Sequence, residues 1–181
     1  FRPEHYWKPG TKVTAKLDLD GVEGRPGVYG TQAKSVTFTI GRAQVSTVDA
    51  KTHKMKVERD GKVIKTLPIT AGEPRYTTYN GQMVISEKHR EIRMDSRTVG
   101  LGGAYDIKDV PHAMRLSTSG TFIHGNYWAG GAFGNANVSH GCVGLKDVKG
   151  AYDNGQPAAW FYNNSLIGDL VMVKNSRDKV I

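Results

Sequence analysis

The chain has 181 residues, 38% of them apolar and 22 of them glycine. That suffices for one domain with a sizeable core plus a fragment of another, and the balance is globular rather than disordered. Lys and Arg number 25 against 17 Asp and Glu, a net charge of +8, which attracts polyanions. The cations are scattered, however, with no zinc-finger spacing, RNA-recognition signature or basic amphipathic helix, which argues against nucleic acid as partner. The longest apolar run, Ala158 to Tyr162, falls far short of the ~20 residues of a membrane-spanning helix.

Period-two alternation runs through most of the chain. Val13, Ala15, Leu17 and Leu19 alternate with polar residues and predict a half-buried strand. Val36, Phe38 and Ile40 predict a second. Met55 and Val57 lead to Asp60-Gly61 and then Val63, a two-residue hairpin signal in which both turn residues need positive φ. Asn80-Gly81, ahead of Met83 and Ile85, reads as a second turn of this kind. Met114 and Leu116 run to Ser119-Gly120, and Phe122 and His124 follow.

Helical signals are few. Pro157 followed by Ala158 to Tyr162 suits a short helix with proline in its first position, ended by Asn163-Asn164. Leu170 to Val173 predicts a short buried strand. Many short strands with regular turns imply a mainly β fold, a sandwich or barrel with one or two short helices. The first 42 residues are too few for an independent sandwich. They read either as extra strands on the main domain or as the tail of another, with the boundary near Gly41-Arg42.

Residues 125–141 break the strand grammar. They hold Gly125, Gly130, Gly131, Gly134 and Gly141 with Asn126, Asn135 and Asn137. A long glycine-rich loop in a compact domain is usually functional. His124 flanks it at one end and Ser139-His140-Gly141-Cys142 at the other.

Cys142 is the single cysteine, so no internal disulfide can form. A thiol becomes a nucleophile when a base takes its proton and neighbours stabilise the thiolate. His140, two residues before it, faces the same way in an extended segment. His124 ends the strand before the loop, and the loop can fold back to bring it near. Gly141 leaves backbone N–H groups open for an oxyanion hole. Other readings stay open at this level: a buried structural cysteine, or a three-ligand zinc site from His124, His140 and Cys142. All six histidines precede Cys142, which excludes peptidases whose cysteine comes before their histidine. Arg177 is the only arginine after Cys142, in the tail, which counts against a sortase-like arrangement.

The run His124-Gly125-Asn126-Tyr127-Trp128, a glycine-rich loop and then Ser139-His140-Gly141-Cys142-Val143 resembles the signature of the L,D-transpeptidases. Their catalytic domain is the β-rich YkuD domain. The details are most similar to actinobacterial, mycobacterial-type members, in which an immunoglobulin-like domain precedes the catalytic one. The resemblance implies a β-sandwich with one or two short helices over residues 43–181. Residues 1–42, including Tyr6-Trp7, resemble the C-terminal part of an immunoglobulin-like β domain.

The resemblance also implies a mechanism. The Cys142 thiolate attacks the carbonyl before the terminal D-alanine of a peptidoglycan tetrapeptide stem. His124 is the base, oriented by a backbone carbonyl near Gly125. Gly141 and Cys142 supply oxyanion amides, and His140 supports the site. A diaminopimelate amine of a second stem then resolves the acyl-enzyme into a 3→3 cross-link. Tyr105, Trp128, Asn137 and Ser139 are candidate substrate-binding residues. Carbapenem-type β-lactams are expected inhibitors, no cofactor is implied, and the expected location is outside the cytoplasm at the cell wall. Alternatives are an L,D-carboxypeptidase using the same acyl-enzyme, or a non-catalytic basic domain that binds a wall polymer. One departure stands out: many family members carry Asn two residues after the cysteine, where this chain has Gly144.

Overall fold

The computed structural model describes residues 4–5, 7–100, 102–178 and 180. Phe1 and Tyr6, which belong to the N-terminal reading above, lie outside them. The chain divides into two compact units, residues 1–43 and 44–181.

The first unit holds β1 (Lys12–Asp18), β2 (Glu23–Arg25), β3 (Val28–Tyr29) and β4 (Ala33–Thr39). β1 and β4 pair antiparallel with Val13 opposite Phe38 and Ala15 opposite Val36. β2 and β3 form a small hairpin that turns at Gly27, φ +75°. The alternation predicted half-buried strands. Instead Leu17, Val36 and Phe38 are each more than two-fifths exposed. The apolar face is present, but no second layer from within the unit covers it.

The second unit holds β5 (Gln44–Asp49), β6 (Lys54–Arg59), β7 (Lys62–Thr70), β8 (Gly81–Val84), β9 (Glu87–Asp95), β10 (Asp106–Arg115), β11 (Phe122–Asn126), β12 (Val143–Lys146), α1 (Pro157–Asn164) and β13 (Leu170–Lys174). Its nine strands form one sheet in the order β8-β13-β5-β6-β7-β12-β11-β10-β9. The edge strands β8 and β9 are consecutive in sequence and separated by only Ile85 and Ser86. A connection that short is possible only because the sheet curls until its edges meet. There Ile85 N–H donates to the Asp169 carbonyl and Ser86 N–H to that of Arg115.

The curled sheet thus faces itself across one core, as the two layers of a sandwich do. Met55, Ile69, Ile85, Met114, Ile123, Leu145 and Phe161 of α1 are fully buried there. Each contributes roughly 1.5–3 kcal/mol by leaving water.

Asp60 and Gly61 turn β6 into β7 with φ of +51° and +77°, as the hairpin signal requires. The helix spans Pro157–Asn164 with proline in its first turn, as read from the sequence. Asn80-Gly81 is different. It opens β8 rather than forming a hairpin turn, and the Asn80 amide donates to the carbonyls of Ser176 and Asp178. The Asn-Gly pair there serves a link to the C-terminal tail.

At the centre of the sheet β11 and β12 run parallel, with Ile123 opposite Val143 and His124 opposite Gly144. A parallel pair needs a long crossover, and the glycine-rich segment between them is that crossover. It returns the chain to the start of β12 beside the strand that carries His124.

Candidate active site

His124 and Cys142 sit on neighbouring parallel strands. His124 lies on β11, and Cys142 stands one residue ahead of β12. Continuing the register by one residue sets Cys142 opposite Phe122, two positions from His124 on the same face. Both side chains are buried, at 9% and 5% exposure.

The His124 ring is fixed on two sides. Its Nδ1–H donates to the Gly125 carbonyl at 2.7 Å, which leaves Nε2 as the basic nitrogen. The Trp128 indole stacks on the ring, with centroids 5.8 Å apart and planes 19° from parallel. Burial pushes the imidazole below its ordinary value, against the opposing effects of the Gly125 carbonyl and the Asp147 carboxylate.

Burial pushes the Cys142 thiol the other way, up to about 11. The Phe122 backbone amide partly counters this. The thiol donates to the Gly120 carbonyl at 3.8 Å. Burial thus disfavours the charged form of both groups, and a thiolate here would require its proton to pass to a nearby base.

Ser139 braces the turn that presents the cysteine. Its hydroxyl donates to the Cys142 carbonyl at 2.5 Å and accepts from Gly141 N–H at 3.2 Å. The backbone of Ser139 is tied to Ala71 and Glu73. Gly141 adopts φ +112°, a conformation other residues avoid. The sequence reading left the Gly141 N–H open for an oxyanion; here it is engaged by Ser139 Oγ.

His140 occupies the other side of the turn. Its ring lies between Tyr76, 4.9 Å away, and Tyr105, 5.3 Å away. These three side chains, with Thr77, Gly120 and Gly141, line a cleft of about 240 Å³. Tyr105 closes a glycine-rich segment whose Gly100, Gly102 and Gly103 all have positive φ. That segment is clasped at its base by Ser96 and Tyr105 hydrogen bonding to each other. The Tyr105 phenol is pushed up to about 12, chiefly by burial.

Asn137 does not face this cleft. Its amide donates to the Ala50 carbonyl and accepts from Ala71 N–H, tying the crossover to β7 and the β5–β6 turn. It lines a separate cleft of about 440 Å³ with Lys51, His53 and Arg177. Among the described residues no three His, Cys, Asp or Glu side chains converge as a metal ion would need.

Three buried polar residues complete the site, and the sequence assigned none of them a role. Asn126 accepts from the N–H groups of Trp128 and Ala129, fixing the loop that carries the indole. It also accounts for Gly144. A Cβ on Gly144 would stand 2.8 Å from Thr70 Cγ2 and 3.3 Å from Asn126 Nδ2, so the neighbouring strand fills the space a side chain would take. Asp147 and His112 form a buried pair at 2.7 Å. The available signal was a histidine inside the apolar run Val110-Pro111-His112-Ala113-Met114, since a buried polar group demands a partner.

Residues 43–173 match the family model of the L,D-transpeptidase catalytic domain. The chain belongs to the L,D-transpeptidase family. Residues 1–23 match a bacterial Ig domain. L,D-transpeptidase 2 of Mycobacterium tuberculosis is 35% identical over 180 residues, which is 97% of this chain and 42% of that protein. L,D-transpeptidase 5 of the same species is 34% identical, over 97% of this chain and 37% of its own length. The chain thus spans less than half of these two relatives. Among solved structures, the L,D-transpeptidase LdtMt1 in complex with imipenem superposes with a TM-score of 0.77 at 31% identity, covering 95% of this chain and 71% of that one. An L,D-transpeptidase from Mycobacterium smegmatis gives 0.74 at 30%, covering 95% and 70%.

Proposed function

We propose that this chain is a cysteine acyltransferase that forms 3→3 cross-links between peptidoglycan stem peptides. The observation that carries the reading is the tautomer lock on His124. With Nδ1–H held by the Gly125 carbonyl at 2.7 Å, Nε2 is the nitrogen able to accept the thiol proton. Sγ–H gives its proton to Nε2, and the sulfur attacks the carbonyl carbon before the terminal D-alanine. The tetrahedral oxyanion is held by backbone amide, for which Cys142 N–H is the candidate, since Gly141 N–H already donates to Ser139 Oγ. Collapse breaks the C–N bond, and the leaving D-alanine amine takes the proton from His124. The diaminopimelate amine of a second stem then attacks the thioester, gives a proton to His124, and releases Cys142, which recovers its proton.

His140 and Tyr105 line the cleft in which the donor stem lies, and Trp128 shields the imidazole from water. The imipenem complex of LdtMt1 supports acylation of Cys142 by carbapenem-type β-lactams here. We propose a location outside the cytoplasmic membrane at the cell wall, where such a substrate lies; the net charge of +8 suits it. Among the described residues no helix is long and apolar enough to cross a membrane. The first unit is proposed as the C-terminal part of an immunoglobulin-like domain. The Ig match over residues 1–23 and the uncovered apolar face of β1 and β4 support this.

The test is mass spectrometry of protein and products after mixing with a tetrapeptide stem fragment. The reading expects a transient adduct, absent in Cys142→Ala, and a dimer lacking one D-alanine. D-Alanine release without a dimer would make the chain a carboxypeptidase. Folded protein giving neither adduct nor D-alanine would leave a wall-polymer-binding domain.

A further inference from the structure

The proposed reaction uses neither member of a buried histidine–carboxylate pair in the second unit. His112 on β10 and Asp147, just after β12, are 3% and 4% exposed. His112 Nδ1 and Asp147 Oδ2 stand 2.7 Å apart. Removing a carboxylate from water is costly and persists where the geometry or the function compensates. The other Asp147 oxygen accepts from Val148 N–H, so the carboxylate is held at both ends.

His112 is also strained. Its φ is +46°, in the left-handed region that non-glycine residues enter only at a cost. Such outliers cluster where function holds them. The ring packs beside Tyr162 of α1, with centroids 5.1 Å apart.

The pair reaches the active site through Gly125. A Cβ built on Gly125 would collide with Asp147 Oδ2 and stand 2.7 Å from Asp147 Cβ. The carboxylate therefore rests directly on the backbone whose carbonyl holds His124 Nδ1. Asp147 N–H also donates to the Asn126 carbonyl at 3.3 Å, so the contact is clamped from both strands.

We propose that Asp147, held by His112, is the positioning residue of the catalytic base. It fixes the Gly125 carbonyl that sets the His124 tautomer, and its charge favours the imidazolium formed when Cys142 gives up its proton. A neutral thiol and a neutral imidazole must exchange a proton in a site that burial makes hostile to both charges. A carboxylate close by stabilises the cation of the resulting pair. Asp147 is the charged group that acts on the imidazole. His112 acts only through Asp147, Cys142 on the turn is the proton donor, and the face of Trp128 is uncharged. The arrangement has the logic of a histidine oriented by an acid, with one glycine peptide interposed.

The inference rests on His124 being the base, and one experiment separates the two. The rate of Cys142 alkylation by iodoacetamide is measured from pH 5 to 9 on folded wild type, His124→Ala, Asp147→Asn, His112→Asn and His112→Leu. Asparagine at 112 tolerates the left-handed backbone and keeps an N–H for the carboxylate, whereas leucine does neither. Asp147→Asn should alkylate about tenfold more slowly, part of the roughly 10²–10⁴ a placed base contributes. Its acid limb should move to lower pH, because the imidazolium has lost its nearby anion. His112→Asn should keep the wild-type limb while His112→Leu follows Asp147→Asn, and this contrast serves even if Asp147→Asn folds poorly. A slower but unshifted limb in both Asp147→Asn and His112→Leu would overturn the proposal, because a packing defect alone lowers the rate without moving the limb. Equal rates in wild type and His124→Ala would overturn the base reading and the proposal with it.

Discussion

The two sides of Cys142 are built for different work, and each carries a histidine. His124 sits on a central strand, buried, hydrogen bonded to the adjacent carbonyl and capped by Trp128. His140 sits on a turn, between two tyrosines, on the wall of an open cleft. The first environment fixes one nitrogen and removes water, which suits proton transfer. The second offers aromatic faces and a cavity, which suits holding a ligand. The histidine nearer to the cysteine along the chain is thus not the one set up for proton transfer; what surrounds each ring separates the two, not sequence distance.

Removing the sulfur takes away the group that both sides serve. Cys142→Ala should abolish both the acyl adduct and turnover, read by intact mass, while leaving the fold in place. Residual turnover at the wild-type rate would mean that neither side of the cleft does chemistry.

Gly125→Ala attacks the rigid side alone. The added methyl would collide with Asp147. Overpacking at such a site costs typically 1–3 kcal/mol, and it displaces the carbonyl that orients His124. Both the melting temperature and the acylation rate should fall. A variant with wild-type melting and kinetics would show that the close contact exerts no constraint.

On the open side the effect should be smaller and of a different kind. His140→Ala should raise KM for a stem peptide more than it lowers kcat, and His140→Phe, which keeps a ring between Tyr76 and Tyr105, should recover much of the loss. A kcat collapse at unchanged KM would move His140 into the chemistry.

The smallest effect is on stability. His124 is held below its ordinary value of 6.5 in the folded chain. The unfolded chain therefore takes up a proton first as pH falls, and stability is lost below about 6.5 until the lowered native value is passed. Melting temperatures at pH 7.5 and 5.5 should differ more in wild type than in His124→Gln. An identical pH dependence in the two would mean that the imidazole does not carry this linkage.

Much of the architecture was legible in the sequence. Asp60-Gly61, Pro157 and the alternation through Met55 and Val57 are local signals, and local backbone preference decided them. Non-local pairing decided the rest. Asn80-Gly81 has the composition of a hairpin turn, but its amide is claimed by the C-terminal tail. β1 alternates like a half-buried strand, yet burial needs a second layer that its own unit does not supply. In the site, the motif gave His124, Cys142 and the turn between Ser139 and Cys142. It could not show that Ser139 engages the Gly141 N–H, or that Asn137 faces another cleft. Nor could it show that Asp147 and His112, 35 residues apart, meet behind Gly125. Gly144 stood out along the chain as a departure; across the sheet Thr70 and Asn126 occupy the space beside it.

The measurement that bears most directly on the division of labour is the rate at which imipenem acylates Cys142, followed by time-resolved intact mass in wild type, His124→Ala and His140→Ala. His124→Ala should slow acylation by on the order of 10²-fold or more, whereas His140→Ala should shift its concentration dependence and keep most of the limiting rate. The reverse order, with His124→Ala acylating at the wild-type limiting rate and His140→Ala failing to react, would contradict that division.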